Sequence, residues 1–435
     1  MAMLIRSVLA YLALIIAVLA FLPGAGYAGA LVVGVVVMLG WRDMKYVPRG
    51  VFLAACGALA YVLIEDVALL PEAAANVIRL SGLILSVMLL SSVLRRTGDL
   101  QRISASLFGG SPLGRYLSLT FGTALLSVPL NFGSVAVVGS LVAERIGERG
   151  DSPATRNATR AVLRGFGTAP MFSPLSISVA LTLTLLGGLA LVELMAVVVP
   201  FVVVMVLLGV IWRESETESP KADKPRVRSG ASWLRFASLI LAVCGGVFIL
   251  HHRYDINYAY AVTLSCLAVV LSSRLLLWCR GQHPPLVSMG RVSNELAIVG
   301  GSAFIGAVIS GVILGQMQAE LDLPLWSWPL TAALVPLIFF LAGLGGVNPI
   351  VIGTLVGGTL GSIWPAEALL GLGVAMVTGW GITAFGTPFA ANALMMERLT
   401  GYRAVDASFK WNFKLSCAGL AIAGLLGAGL TTALM

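Results

Sequence analysis

Two apolar stretches of this chain carry polar, helix-breaking residues in their middles. The first, 127–142, reads SVPLNFGSVAVVGSLV and is interrupted by Pro129, Asn131, Gly133 and Ser134. The second, 345–356, reads GGVNPIVIGTLV and holds Gly345, Asn348 and Pro349. Two further apolar stretches carry Gly167, Thr168 and Ser173, and Gly381, Thr383 and Thr387. None of these side chains is charged. Their chemistry is that of neutral oxygens, which suit Na+, and of backbone N–H groups at a helix start, which suit an anion. Ser127, Asn131, Gly167, Gly345, Asn348 and Gly381 are the candidate Na+ positions. Asn131, Gly133, Ser134, Thr168, Ser173, Asn348, Pro349, Thr383 and Thr387 are the candidate substrate positions. The asparagines stand out, because an amide in an apolar segment costs free energy unless it has a partner. Pro349 fits a first helical position, where its missing donor is not needed. The small residues also permit close helix packing, and Ser and Thr can satisfy their own helix backbone.

The spacing of these residues repeats. GSLV at 139–142 and GTLV at 353–356 are 214 residues apart, and so are Phe166-Gly167 and Trp380-Gly381, and Ser173-Pro174 and Thr387-Pro388. Paired interruptions in two halves of a chain are a pointer to a transporter binding site. The absence of Asp, Glu, Lys, Arg and His at the breaks favours Na+ coupling over H+ coupling. It also argues against an enzyme: there is no His/Asp/Glu cluster and no Ser–His or Cys–His arrangement at the breaks.

The elements that must position these residues are membrane helices. The chain has 435 residues, 58% of them hydrophobic and 11% charged. Apolar runs long enough to cross a bilayer recur throughout. The net charge of +8 lies mostly in short loops, as positive-inside bias requires, which argues against a nucleic-acid partner. The five cysteines have neither metal-ligand nor redox spacing, and no cofactor is expected beyond the coupling ion.

Loop charge sets the topology. About eleven spans and two re-entrant hairpins are expected, with the N-terminus cytoplasmic and the C-terminus periplasmic. Residues 1–27 form an extra first helix, read as a retained span and not a removed signal. Residues 28–212 hold spans two to six, with a hairpin over 115–142 and a broken helix over 161–186. An amphipathic interfacial segment covers 97–110. Residues 213–231 read as a flexible cytoplasmic linker. Residues 232–435 hold spans seven to eleven, with a hairpin over 328–363 and a broken helix over 370–395. Basic loops flank the first hairpin. Glu320, Asp322 and Glu367 flank the second, so it opens outward. Arg79 and Arg253 depart from this pattern. Unwinding is expected at 131–134, 168–173, 345–349 and 383–387, converging near the midplane. Five spans and one hairpin per half make the halves run in opposite directions, an inverted-topology repeat.

This layout resembles the ion transporter superfamily, whose members include divalent-anion/Na+ symporters and arsenite-permease-like proteins. The resemblance covers nearly the whole chain after the first helix. Symporter hairpin tips carry Ser-Asn-Thr, with Asn contacting Na+ and the substrate carboxylate. Here the tips read Asn131-Phe132-Gly133-Ser134 and Val347-Asn348-Pro349, with one Asn in each and no triplet. The resemblance implies an elevator-type all-α transporter that works as a homodimer. The expected function is Na+-coupled movement of a small organic anion, a di- or monocarboxylate, across the inner membrane. The alternatives are an exporter of an inorganic anion or metalloid, a cation/proton antiporter, and the large permease subunit of a multi-component transporter.

Overall fold

Glycine, proline and polar caps decide where this apolar chain starts and stops its helices. The computed structural model describes residues 2–20, 22, 24–95, 98–216, 229–316 and 324–435, leaving out the side chains of 2, 149 and 316. The central part of the expected linker (217–228), and Arg96, Glu320 and Asp322, lie outside the described residues. All regular structure within them is helical. The first group of helices is α1 (Ala2–Val18), α2 (Ala25–Leu39), α3 (Tyr46–Glu65), α4 (Leu70–Arg95) and the short α5 (Asp99–Ser106). Next come α6 (Pro112–Leu130), α7 (Phe132–Arg149), α8 (Pro153–Phe172), α9 (Ile177–Leu185) and α10 (Leu191–Ile211). Past the linker lie α11 (Gly230–Tyr254), α12 (Tyr258–Cys279) and α13 (Ser293–Gln316). The last are α14 (Ser327–Leu344), α15 (Pro349–Ile363), α16 (Leu369–Gly386), α17 (Ala391–Thr400) and α18 (Phe413–Leu434).

Among the described residues ten helical segments are long and apolar enough to cross a membrane, so the chain is a multi-pass membrane protein. The count differs in kind from the expected eleven. α1 and α2 are shorter than a full span, whereas α14, expected as a hairpin arm, is long enough by itself. The outward faces of α3 and α11 are apolar and exposed, with Leu53, Leu59, Leu63, Leu234 and Leu241 among the exposed residues. A lipid-facing helix surface has that composition.

The stretches expected as hairpins, 115–142 and 328–363, each hold a pair of helices, α6–α7 and α14–α15. α6 and α8 run side by side in the same direction, with Tyr116 bonded to Arg164 and Thr120 against Gly165. α7, which connects them, runs back in the opposite direction. Both ends of the α6–α7 pair therefore meet on one side of the protein. There Arg115 pairs with Glu216, while Arg156 pairs with Asp151 and Glu214 at 2.9 Å. Tyr402 closes this side with a 2.8 Å hydrogen bond to Asp151. Burial, together with the Asp151 carboxylate, pushes its hydroxyl up to about 12, so it stays a donor. The second pair is closed at its base by Trp328 and Trp364, whose rings lie 5.1 Å apart.

The two hairpin-and-helix units interlock. α8 and α16 cross in opposite directions. A Cβ at Gly167 would lie 2.7 Å from Phe385 Cβ, and one at Gly381 would lie 2.6 Å from the Gly167 carbonyl. Every residue of α16 except Leu370 is buried. Gly139 on α7 abuts Met396 and Leu399 of α17, while Gly353 and Gly357 on α15 abut Leu181 and Leu185 of α9. Each hairpin's return arm thus packs on the second piece of the other unit's broken helix. A separate crossing joins α4 to α13, with Gly300 against Ser81 and, just before α4, Leu69 against Gly311. α12 flanks α4 and α3 flanks α13 (Gly82 meets Thr263, and Gly301 meets Val51).

Candidate functional site

The first break is narrower than the sequence suggests. A single residue, Asn131, interrupts α6–α7, with φ 48° and ψ −126°. Gly133 and Ser134 are already helical, in the first turn of α7. Positive φ on a non-glycine residue is strained and clusters at functional sites. Around the break Ser127 and Ser134 hydroxyls lie 2.6 Å apart. Ser127 donates to the Thr123 carbonyl at 2.6 Å, and Ser134 to the Asn131 carbonyl at 2.7 Å. The buried Thr123 hydroxyl has no partner among the described residues. The Ser127 and Ser134 hydroxyls and the Thr123 and Asn131 carbonyls thus gather beneath the tip. On the outer side, Phe132 stacks on Phe166 at 5.3 Å, and the Arg95 guanidinium at the end of α4 fills the space where Gly133 lacks a side chain.

The second break matches the expected 345–349. Gly345 ends α14, Gly346 takes φ 80°, and Asn348 caps α15, accepting a 2.9 Å hydrogen bond from the Ile350 amide. Pro349 is the first helical residue. The cap uses the Asn348 side-chain oxygen, so the carboxamide nitrogen is the group it can offer to a ligand.

The broken helices are shifted relative to expectation. α8 continues through Pro170 to Phe172, and α16 continues to Gly386. Thr168, Gly167, Gly381 and Thr383 are therefore helical and not unwound. The glycines expected to loosen the chain instead let two backbones approach. The breaks begin at Ser173 and Thr387, whose extended conformations (ψ 119° and ψ 141°) end each helix. The new helices start at Ile177 and Ala391. These boundaries repeat at the spacing of 214 residue for residue. Ser173 N–H bonds Ala169 O and Thr387 N–H bonds Thr383 O; Ala180 N–H bonds Ser176 O and Leu394 N–H bonds Ala390 O.

A pair of staples holds the breaks open, and sequence reasoning missed both. Ser178 donates to the Pro170 carbonyl, and Asn392, 214 positions on, donates to the Ala384 carbonyl at 2.8 Å. Asn392 satisfies a carbonyl that the break would otherwise leave bare in a buried place, whereas the Pro170 carbonyl also accepts from Ser176 at 3.0 Å. No Pro or Gly marks either residue; only their matched spacing could have found them. Asn392→Ala is expected to lower stability by about 1–3 kcal/mol, the cost of an orphaned buried acceptor. A denaturation curve beside Asn392→Gln checks it, and an unchanged midpoint would contradict the staple.

The remaining hydroxyls are partly committed. Thr168 donates to Gly165 O, Thr383 to Gly379 O and Thr387 to Thr383 O, at 2.8–2.9 Å. Their lone pairs remain for a cation. Ser173 Oγ accepts from the Leu175 amide. Thr383 and Thr387 pack against Gly343, one turn before the second tip. The structure therefore gathers the candidates into two centres. One holds Ser127, Asn131, Gly133 and Ser134. The other holds Gly345, Asn348, Pro349, Thr383 and Thr387. The crossing at Gly167 and Gly381 links them, with Thr168 beside it and Ser173 ending α8. Asn131 and Asn348 are joined by no hydrogen bond among the described residues.

A cation outside the expected set also lies nearby. Arg164, one turn before Thr168, is 2% exposed. It donates at 2.7 Å to Asn412 Oδ1, Tyr116 Oη and the Gly209 carbonyl. Bound to neutral oxygens at the C-terminal turn of α10, where the helix dipole favours positive charge, it ties α6, α8 and α10 to the start of α18.

Among the described residues no group of His, Cys, Asp and Glu could hold a metal ion. No protein-family model matches the chain, and no curated protein matches it. Fold and site together define a multi-pass helical membrane protein whose helix breaks carry neutral oxygens.

Proposed function

We propose that the protein is a secondary active transporter that moves a small organic anion, a di- or monocarboxylate, coupled to Na+. One observation carries this reading. Two hairpin-and-broken-helix units, repeated at 214 residues, interlock at their own equivalent glycines, Gly167 and Gly381. Residues equated by a two-fold repeat meet each other where the axis passes, so the contact supports an inverted repeat. Backbone interrupted at membrane depth is tolerated where protein or a watery cavity surrounds it; Ser173 and Thr387, where the breaks after α8 and α16 begin, are buried, and Asn131 and Asn348 at the hairpin tips are half-buried. The oxygens of Ser127, Ser134 and the Asn131 carbonyl suit Na+. The α7 and α15 N-terminal turns, with the Asn131 and Asn348 amides, suit a carboxylate.

In this reading α6–α10 and α14–α18 form a transport body that slides, elevator-fashion, along a scaffold built on α4 and α13. The protein works as a homodimer in an inner membrane, with the first hairpin re-entering from the cytoplasm and the second from the periplasm. The test is thermal stability of the purified protein with carboxylates, sulfate and arsenite, with and without Na+. A ligand at a hundredfold its Kd raises stability by about 2.7 kcal/mol. A carboxylate shift that requires Na+ is the expected result. A shift produced by inorganic anions only would transfer the reading to an inorganic-anion exporter.

A further inference from the structure

Polar groups are left unused where α4 and α13 meet α9 and α15. Asn76 on α4 is 8% exposed, and its carboxamide has no hydrogen-bond partner among the described residues. It faces a small cavity lined also by Leu181, Thr184, Ala303, Gly306 and Thr354. The Thr184 hydroxyl is buried and unpartnered, although a helical threonine ordinarily donates to the carbonyl one turn back. Deeper along the same crossing, the fully buried Ser81 and Ser302 hydroxyls are unpartnered as well. Native structures keep few buried polar groups unsatisfied, and each calls for a reason. A second state in which they meet water or a ligand is such a reason.

The packing beside them is of small residues: Thr354 rests on Gly306, and Ser310 on Gly358, to whose carbonyl the Ser310 hydroxyl donates. The contact is also one-sided. α15 lies along α13, while α7 makes no corresponding run along α4 among the described residues. The first hairpin meets α4 through α6, and through α7 at Gly133, which abuts Arg95.

We propose that the Asn76–Thr184 seam is the outer leg of the solute route, closed in this structure. Parting of α15 from α13 opens it, and Asn76, Thr184, Ser81 and Ser302 then serve as neutral hydrogen-bonding groups for a small carboxylate. The proposal rests on the transporter reading and names residues outside the hairpin tips. The outer side is the one on which α4 begins, by the loop charges.

The test uses the full chain with its five cysteines replaced, carrying Asn76→Cys, Thr184→Cys or, as a buried control, Ala375→Cys. A membrane-impermeant maleimide is applied from the outer side, with and without Na+ and succinate. Cysteines at 76 and 184 are expected to react at least tenfold faster than the control, with rates that change when Na+ and succinate are added. Reaction no faster than the control under every condition overturns the proposal. Fast reaction indifferent to Na+ and to every carboxylate supports the opening and contradicts the transporter reading. Asn76→Leu provides a second arm. It should raise the melting point, because an unpaired amide is gone, yet cut uptake at least tenfold. A raised melting point with unchanged uptake overturns the route.

Discussion

Gly381→Leu is expected to abolish the folded protein. The α8–α16 crossing leaves no room for a side chain: a Cβ at 381 would sit 2.6 Å from the Gly167 carbonyl, which is backbone and cannot swing aside. A Cβ at 167 meets the same barrier, 2.9 Å from the Gly381 carbonyl. Overpacking a core costs about 1–3 kcal/mol even where side chains can shift; a backbone clash at the centre of two interlocked units should cost more. Gly381→Ala should lower the melting point strongly, and Gly381→Leu should leave no monodisperse peak in size-exclusion chromatography. Gly429, which has nothing within 4 Å of an added Cβ, is the matched control, and its replacement by Ala should be neutral or slightly stabilising. Equal behaviour at 381 and 429 would mean that the crossing is wrong.

Asn131→Gly should keep the fold and lose transport by at least a hundredfold. The backbone at 131 sits at φ 48°, a region glycine enters freely and alanine does not. Asn131→Gly therefore removes the amide without adding strain. Asn131→Ala removes the amide and strains the tip, so it should lose both stability and transport. The pair separates the chemical role of the side chain from the conformational role of the residue. A melting point preserved in Asn131→Gly with uptake intact would assign Asn131 a purely structural task. Asn348→Ala differs, because its side-chain oxygen caps α15. That change should cost about 1 kcal/mol of stability in addition to activity.

The breaks at Asn131 and Asn348 were legible in the sequence because Pro129, Asn131, Asn348 and Pro349 interrupt apolar runs locally, and local interruptions need no tertiary knowledge. The sequence misplaced the unwinding in the broken helices. Gly167 and Gly381 read as weak points, yet both are helical and serve as the contact surface. A glycine cannot announce from sequence whether it bends its own helix or admits another. Pro170 likewise looked like a break, but it sits in the last turn of α8, where little helix remains to be disrupted. The partners of Arg95, Arg164 and Asn392 were illegible for a different reason. Each depends on how helices distant in sequence come to lie together, and Arg164 reaches Asn412 across the whole second half. The exchange of arms, α7 on α17 and α15 on α9, follows from the same long-range geometry.

The central claim is Na+-coupled carboxylate transport, and the most direct measurement is uptake of labelled succinate and other di- and monocarboxylates into proteoliposomes of the purified chain. Accumulation that needs an inward Na+ gradient, collapses with a Na+ ionophore and ignores an imposed pH gradient is the predicted result. Flux that follows the pH gradient without Na+, or no flux of any carboxylate by protein shown to be folded, would contradict it.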